Sequence, residues 1–167
     1  FRVKNCNFST AVFTNLTQDH LDYHITMENY FNAKAKLFKG LKEGNSAIIN
    51  ADDKYAKRLE EVIADRVDIL TYGVKNKADL MAKNIEFMPD GVKFDCCYKD
   101  ECVEFKLHLN GMFSVYNSLA SIGVGLVNGI SLNTIKSALE VTRSVAGRFE
   151  IVSTSPMVIV DYAHTPD

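Results

Sequence analysis

Ser46–Tyr72 reads SAIINADDKYAKRLEEVIADRVDILTY, and its three successive patterns decide the fold. SAIIN (46–50) is a short apolar run that ends in an amide, as a buried strand does. From Asp52 to Ala64 apolar residues recur at helical spacing, with Tyr55, Leu59 and Val62 on one face. VDILTY (67–72) is again β-branched and apolar. Strand, helix and strand within so few residues require a crossover connection, hence a parallel α/β sheet with helices packed on it.

The same alternation extends upstream. Ala11–Phe13 is an apolar run followed by Thr14-Asn15, a third strand with polar groups at its carboxyl end. The following helix is expected to be capped by Thr26 and ended by Gly40 in the left-handed conformation. Downstream the period changes to two. Leu80–Leu109 reads as a small antiparallel meander with turns at Pro89-Asp90-Gly91 and Lys99-Asp100-Glu101. Phe113–Val127 is a helix, Gly129 interrupts, and Ser131 caps a second helix to about Thr142. Met157–Val160 is a last strand, delivering Asp161 into YAHTPD.

With 167 residues the chain has enough material for one good core and not for two. Its 47% hydrophobic and 24% charged residues are ordinary for a globular protein. A net charge of −2 without a Lys/Arg block argues against nucleic acid as a partner. The long uncharged run from Leu107 to Ile135 is broken by Asn110, Gly111, Ser114, Asn117, Ser118, Asn128 and Gly129, so no membrane span is expected. The four cysteines, Cys6, Cys96, Cys97 and Cys102, lack zinc-ribbon or redox-motif spacing and read as reduced thiols of a cytoplasmic protein. The opening FRVKNC and the close at Asp167 read as the ends of a piece of a longer chain.

The chemistry concentrates in TNLTQDHLDYHITMENYFNAKAKLF, Thr14–Phe38. At about 100° per residue, Met27, Tyr30, Phe31, Leu37, Phe38 and Leu41 form an apolar arc with Lys34 near its middle. Two readings stand. In the plain one, His20 caps a loop and Lys34 snorkels. In the other, desolvation favours the neutral amine, which captures carbon dioxide as a carbamate and, with His20, ligates Mg²⁺. His24 could also ligate, one turn away if the segment is helical, though it more often orients the loop. Arg148, flanked by Gly147, suits phosphate or ribose oxygens, and an ion pair with Glu150 serves equally as an account. Asp161 and His164 follow a strand and suit a ligand role. Asn117 could read an adenine edge or lie solvated on its helix. No GxxxxGK[ST] loop occurs in the sequence.

These motifs resemble the Mur ligases, ATP-dependent amide-forming enzymes of peptidoglycan synthesis. FTNLTQDHLDYH with TMENYFNAKAKLF, NADD (50–53), GMFSVYN (111–117), GRFE (147–150) and VDYAHTPD (160–167) follow the family's order. The resemblance is strongest to the branch that adds a diamino acid, meso-diaminopimelate or L-lysine, to UDP-N-acetylmuramoyl-L-alanyl-D-glutamate through an acyl phosphate. It implies a carbamylated Lys34 with a catalytic and metal-binding role, His20 on magnesium, Asn117, Arg148, Asp161 and His164 toward ATP, and Arg2 toward the UDP-linked substrate. It further implies that 1–150 belong to a central ATP-binding domain whose P-loop portion lies upstream, and that 151–167 begin a C-terminal ligase domain. The 167-residue piece alone is expected to be inactive, and the enzyme a cytoplasmic monomer. Position 114 is Ser where many relatives have Asn. Sister ligases of the folylpolyglutamate or cyanophycin synthetase type, or a non-catalytic nucleotide- or metal-binding module, are the alternatives. A two-metal phosphohydrolase lacks the extra carboxylates.

Overall fold

The computed structural model describes residues 6–17, 24–63, 66–143 and 147–162. Strands β1 (Thr10–Phe13), β2 (Ser46–Asn50) and β3 (Asp68–Gly73) pair in parallel, joined by helices α1 (Met27–Lys39) and α2 (Ala56–Ile63). β4 (Leu80–Met88), β5 (Gly91–Tyr98) and β6 (Glu101–Leu107) form the expected antiparallel meander. It is not a separate unit: β4 pairs with β3, giving one six-stranded sheet in the order β1 to β6. Helices α3 (Met112–Val127) and α4 (Leu132–Glu140) follow, then a separate two-stranded sheet of β7 (Glu150–Thr154) and β8 (Met157–Val160).

β3 and β4 run parallel although only a short loop joins them, where a parallel pair ordinarily needs a long crossover. Two aspartates explain how. Asp52 accepts the backbone N–H groups of Val74, Lys75 and Asn76 at 2.6–3.2 Å. Asp79 accepts from Thr71 N–H (2.8 Å) and Thr71 Oγ1 (2.6 Å), and Thr71 Oγ1 in turn accepts from Asp79 N–H. Carboxylates thus take the donors that no ladder partner could satisfy.

Each face of the sheet carries its own apolar cluster, so the expectation of a single core is corrected. One cluster joins Phe31, Ala35 and Phe38 of α1 and Leu59 and Ile63 of α2 to Phe13 and Ile49. The other joins Val115, Leu119 and Ile122 of α3 to Ile48, Tyr72, Phe94 and Phe105. Successive strand residues point to opposite faces, which is why neighbours Ile48 and Ile49 belong to different clusters. α3 lies close over β2, because a Cβ on Gly123 would come within 2.8 Å of Ile48 Cγ2. The long uncharged run is therefore mostly one buried helix and the start of another. Among the described residues no helix is long and apolar enough to cross a membrane.

Several local expectations hold. Thr26 accepts Asn29 N–H and Ser131 accepts Thr134 N–H as helix caps, and Gly129 has φ 78° after α3. Others are corrected. Gly40 ends α1 in the right-handed region (φ −81°), its N–H shared among the last carbonyls, so no left-handed turn is needed. α2 begins at Ala56 rather than Asp52, because Asp52 and Asp53 are engaged elsewhere. β7 was not legible as a strand. Cys97 and Cys102 are bonded as a disulfide, not free thiols: they face each other across the β5–β6 hairpin, whose turn closes their five-residue separation. Cys96 points to the opposite face, where burial pushes its thiol up to about 12.

Candidate functional site

The carboxyl ends of β1 and β2 and the first turns of α3 enclose a cleft of about 280 Å³. It is lined by Thr14 and Asn15 after β1, Asn50, Asp52 and Asp53 after β2, Lys75 after β3, and Phe113, Tyr116 and Asn117 on α3. Strand ends converge here because the three parallel strands stop level with one another, which is where open α/β sheets place ligands.

The NADD stretch builds the floor. Asn50, nearly buried, donates its side-chain amide to Thr14 O at 2.7 Å and accepts Asp52 N–H at 3.0 Å. Asp53 accepts Leu16 N–H and Tyr55 N–H, both at 2.8 Å, fixing the path of the chain as it leaves β1. Asp52 accepts the Val74–Asn76 N–H groups and the Tyr116 hydroxyl, the last at 2.8 Å. Partial burial alone would raise its pKa, but these donors outweigh it and hold the carboxyl below the ordinary value of 3.8. Burial, then the bond to Asp52, drives the Tyr116 phenol upward, so it stays a donor. The aspartates of this floor are spent on architecture. Among the described residues no group of three or more His, Cys, Asp or Glu is placed to hold a metal ion.

Lys34 stands at the rim. Its Nζ lies 3.4 Å from Asn15 O and 5.2 Å from the Tyr30 ring centroid. The buried line of α1 is Phe31, Ala35 and Phe38, and Leu37 is 39% exposed. Lys34 is therefore half-buried at the margin of the apolar face and not near its middle as the sequence suggested. Tyr30 and Leu37 flank the contact rather than fill it, so the buried arc is narrower than the helical spacing implies. His24 stacks on Tyr30, with ring centroids 4.8 Å apart, so it does sit against the Lys34 neighbourhood. His20, Arg2 and His164 lie outside the described residues.

Asn117 is exposed on α3 and lines the cleft. Arg148 and Asp161 come together at one loop. Phe149 N–H donates to Asp161 Oδ2 at 3.0 Å, Tyr162 N–H to Gly147 O at 2.9 Å, and Gly147 N–H to Glu150 Oε2 at 2.8 Å. Glu150 thus meets backbone, and no Arg148–Glu150 ion pair occurs among the described residues. Gly147 has φ 71°, and a Cβ there would strike the Tyr162 ring at 2.1 Å, so the GRF turn needs its glycine. Arg148 is exposed, and its neighbour Phe149 meets the cleft residue Phe113 edge-on, with ring centroids 6.0 Å apart.

Sequence reasoning overlooked Tyr116, Lys75 and Asp53. A tyrosine at helical spacing beside apolar residues reads as core, and Lys75 sits in a loop with no pattern. Asp53 lies within NADD, but which strand-end carboxylate meets which donor depends on loop geometry.

The Mur ligase middle-domain model matches residues 1–125. The UDP-N-acetylmuramoyl-L-alanyl-D-glutamate–2,6-diaminopimelate ligase of Clostridium botulinum is 47% identical over 99% of this chain and 34% of its own length. A solved structure of a ligase of the same name superposes with TM-score 0.84 at 31% identity, covering 99% of this chain and 34% of the other. The MurF ligase of Thermotoga maritima in complex with ADP shares the fold alone, with TM-score 0.78 at 22% identity over 91% of this chain and 34% of its own. The chain spans about a third of the length of the relatives it matches. Matched over three-quarters of its residues by the family model and built around the strand-end cleft just described, this chain belongs to the Mur ligases, with residues 1–125 matching their middle domain.

Proposed function

We infer that the chain is the nucleotide- and metal-handling portion of an ATP-dependent ligase that joins 2,6-diaminopimelate to UDP-N-acetylmuramoyl-L-alanyl-D-glutamate. The observation that carries this reading is Lys34 against Asn15 O, at the edge of a polar strand-end cleft that Asn15 and Asn117 both line. The names of the relatives supply the substrates, and their diaminopimelate favours that diamino acid over L-lysine. The ADP complex of the more distant MurF favours a nucleotide in the cleft.

In this reading Asn117 meets the base, Arg148 and Asp161 face ribose or phosphate oxygens, and His164 completes that side. Arg2 faces the UDP-linked substrate. Lys34 as a carbamate, together with His20, would hold Mg²⁺. The carbonyl- and amide-rich end of β1 suits so hard a cation, whereas an unmodified lysine does not. Bound there, the metal would neutralise charge on the transferring phosphoryl group. The chain's own residues do the rest: Asn50 and Asp53 fix the Thr14–Leu16 segment against which Lys34 sits. Positioning is most of what phosphoryl transfer to a carboxylate demands, before an amine displaces the phosphate from the acyl group. Residues 1–150 would form the ATP-binding domain and 151–167 the start of the next, in a cytoplasmic monomer.

The test is ligation by the full-length enzyme. ADP release should require both the UDP-dipeptide and the diamino acid, match amide formation one for one, and be faster with diaminopimelate than with L-lysine. ADP release indifferent to the UDP-dipeptide would point instead to a sister ligase.

A further inference from the structure

The polar side chains on the floor of the cleft bond to other segments of the chain, as Asn50 does to Thr14 and Asp53 to Leu16, whereas most polar side chains of α3 bond within their own segment. Its N-cap, Gly111, makes no side-chain cap bond. Ser114 Oγ, Ser121 Oγ and Asn128 Nδ2 all donate to carbonyls within or just before the helix. Its buried face is built of apolar and small residues, with glycines that let it lie close over β2. Among the described residues, the side-chain hydrogen bond that ties α3 to another element is Tyr116 O–H to Asp52 Oδ2, at 2.8 Å. The same Oδ2 also accepts the N–H groups of Val74 and Lys75, at 2.7 and 3.0 Å. One carboxylate oxygen therefore joins the helix that bears Asn117 to the loop that bears Lys75, and both residues line the cleft.

We propose that Tyr116 and Asp52 are positioning residues for the ligand of this cleft: their bond sets the rotation of α3, and with it where Asn117 stands relative to Lys75 and the end of β1. The apolar contacts of α3 supply stability without direction, and a hydrogen bond to a charged acceptor supplies direction. Tyr116 adjoins Asn117 in sequence, so a small turn of the helix about its axis displaces the amide while leaving Val115 and Leu119 buried. Neither Tyr116 nor Asp52 needs to touch the reacting atoms.

This inference rests on the reading of the cleft as a nucleotide site, and a set of variants in the full-length ligase separates the two. Tyr116→Phe removes only the hydroxyl, and Asn117→Ala removes the side chain it is argued to aim. Tyr116→Phe should raise KM for ATP about five- to tenfold with a smaller change in kcat. Combined with Asn117→Ala it should add little to that variant's own increase, because a misaimed amide and a missing one are nearly equivalent. A lowered Tm with KM for ATP unchanged would make Tyr116 merely structural and overturn the proposal, as would effects of the two substitutions that multiply fully. If Asn117→Ala raises KM for ATP and Tyr116→Phe does not, positioning fails while the nucleotide reading survives. If both raise KM for the UDP-dipeptide and neither that for ATP, the nucleotide reading fails and positioning stands.

Discussion

The two ends of the main sheet each carry a cavity, and the smaller one is lined by Asn117 and by Asn15, against which Lys34 stands. At the amino ends, Asp68–Leu70 of β3, Ala78, Asp79, Tyr98, Lys99 and Val127 enclose about 480 Å³, against about 280 Å³ at the carboxyl ends. The larger cavity contains none of the residues that the sequence marked for ligand or metal. Its Asp79 is committed to Thr71, and Lys99 lies over the Tyr98 ring 5.1 Å from its centroid. At the carboxyl ends, by contrast, chain segments from three strands and the start of α3 meet, and Lys34 and Asn117 stand at the margins. Volume does not identify a site. The direction of the strands does, because every parallel strand unloads its next loop at the same end.

The largest expected effect sharpens this contrast. In the full-length ligase, Lys34→Ala should lower turnover on the order of a hundredfold or more, whereas Lys99→Ala at the other end should change it less than twofold. Lys34→Arg should fail as Lys34→Ala does, since a guanidinium keeps the charge but cannot become a carbamate. Steady-state ligation kinetics decide the matter, and near-normal turnover in the Arg variant would reduce Lys34 to a structural cation.

Next in size is the effect of Asp52, one of the two aspartates that hold the β3–β4 connection. Asp52→Asn should destabilise the chain by about 1–3 kcal/mol through charged hydrogen bonds weakened at once. Its acid limb should also change. Because the folded carboxyl sits below its ordinary value of 3.8, its stabilisation is full above that pH and is lost as pH falls through the lower folded value. Thermal melts from pH 6 downward should therefore show a shallower acid loss in Asp52→Asn than in the parent chain. An equal slope in both would mean that Asp52 contributes nothing through its charge.

The smallest effect expected in the cleft is that of Lys75. It is an exposed rim cation, so Lys75→Ala should alter KM for ATP no more than about fivefold and mostly at low salt. A larger, salt-independent loss would make Lys75 a direct ligand residue.

A further contrast lies between β2 and β8, which are of similar length. Ala47, Ile48 and Ile49 are buried, whereas Val158, Ile159 and Val160 are each at least 40% exposed. Backbone amides of β8 should exchange with solvent much faster than those of β2 in the isolated chain. Equal protection would show that β8 is covered by something other than β7.

How much of this was legible beforehand follows from the range of each interaction. All strands but β7, together with α1, α3 and α4, were readable because apolar period and caps are local, as with Thr26 and Ser131. Fusion of the meander to β3 was not, because the carboxylates that fold the β3–β4 loop act across more than twenty residues in the case of Asp52. Lys34 was readable as an anomaly but misplaced on its arc, since periodicity gives a face and not its edges. The Cys97–Cys102 pairing required the register of β5 on β6, which spacing alone does not give. Tyr116 carried no signal, because its meaning lies in a carboxylate distant in sequence.

The central claim is that ligand enters at the carboxyl end of the sheet. It is tested most directly by titrating the ¹⁵N-labelled 167-residue chain with Mg-ATP and following backbone amide shifts. The sequence lacks a GxxxxGK[ST] loop, so binding should be weak and without turnover. The shifts should nevertheless gather at Asn15, Lys75, Tyr116 and Asn117. Saturable shifts at Asp79, Tyr98 and Lys99 with none at those four would contradict the account.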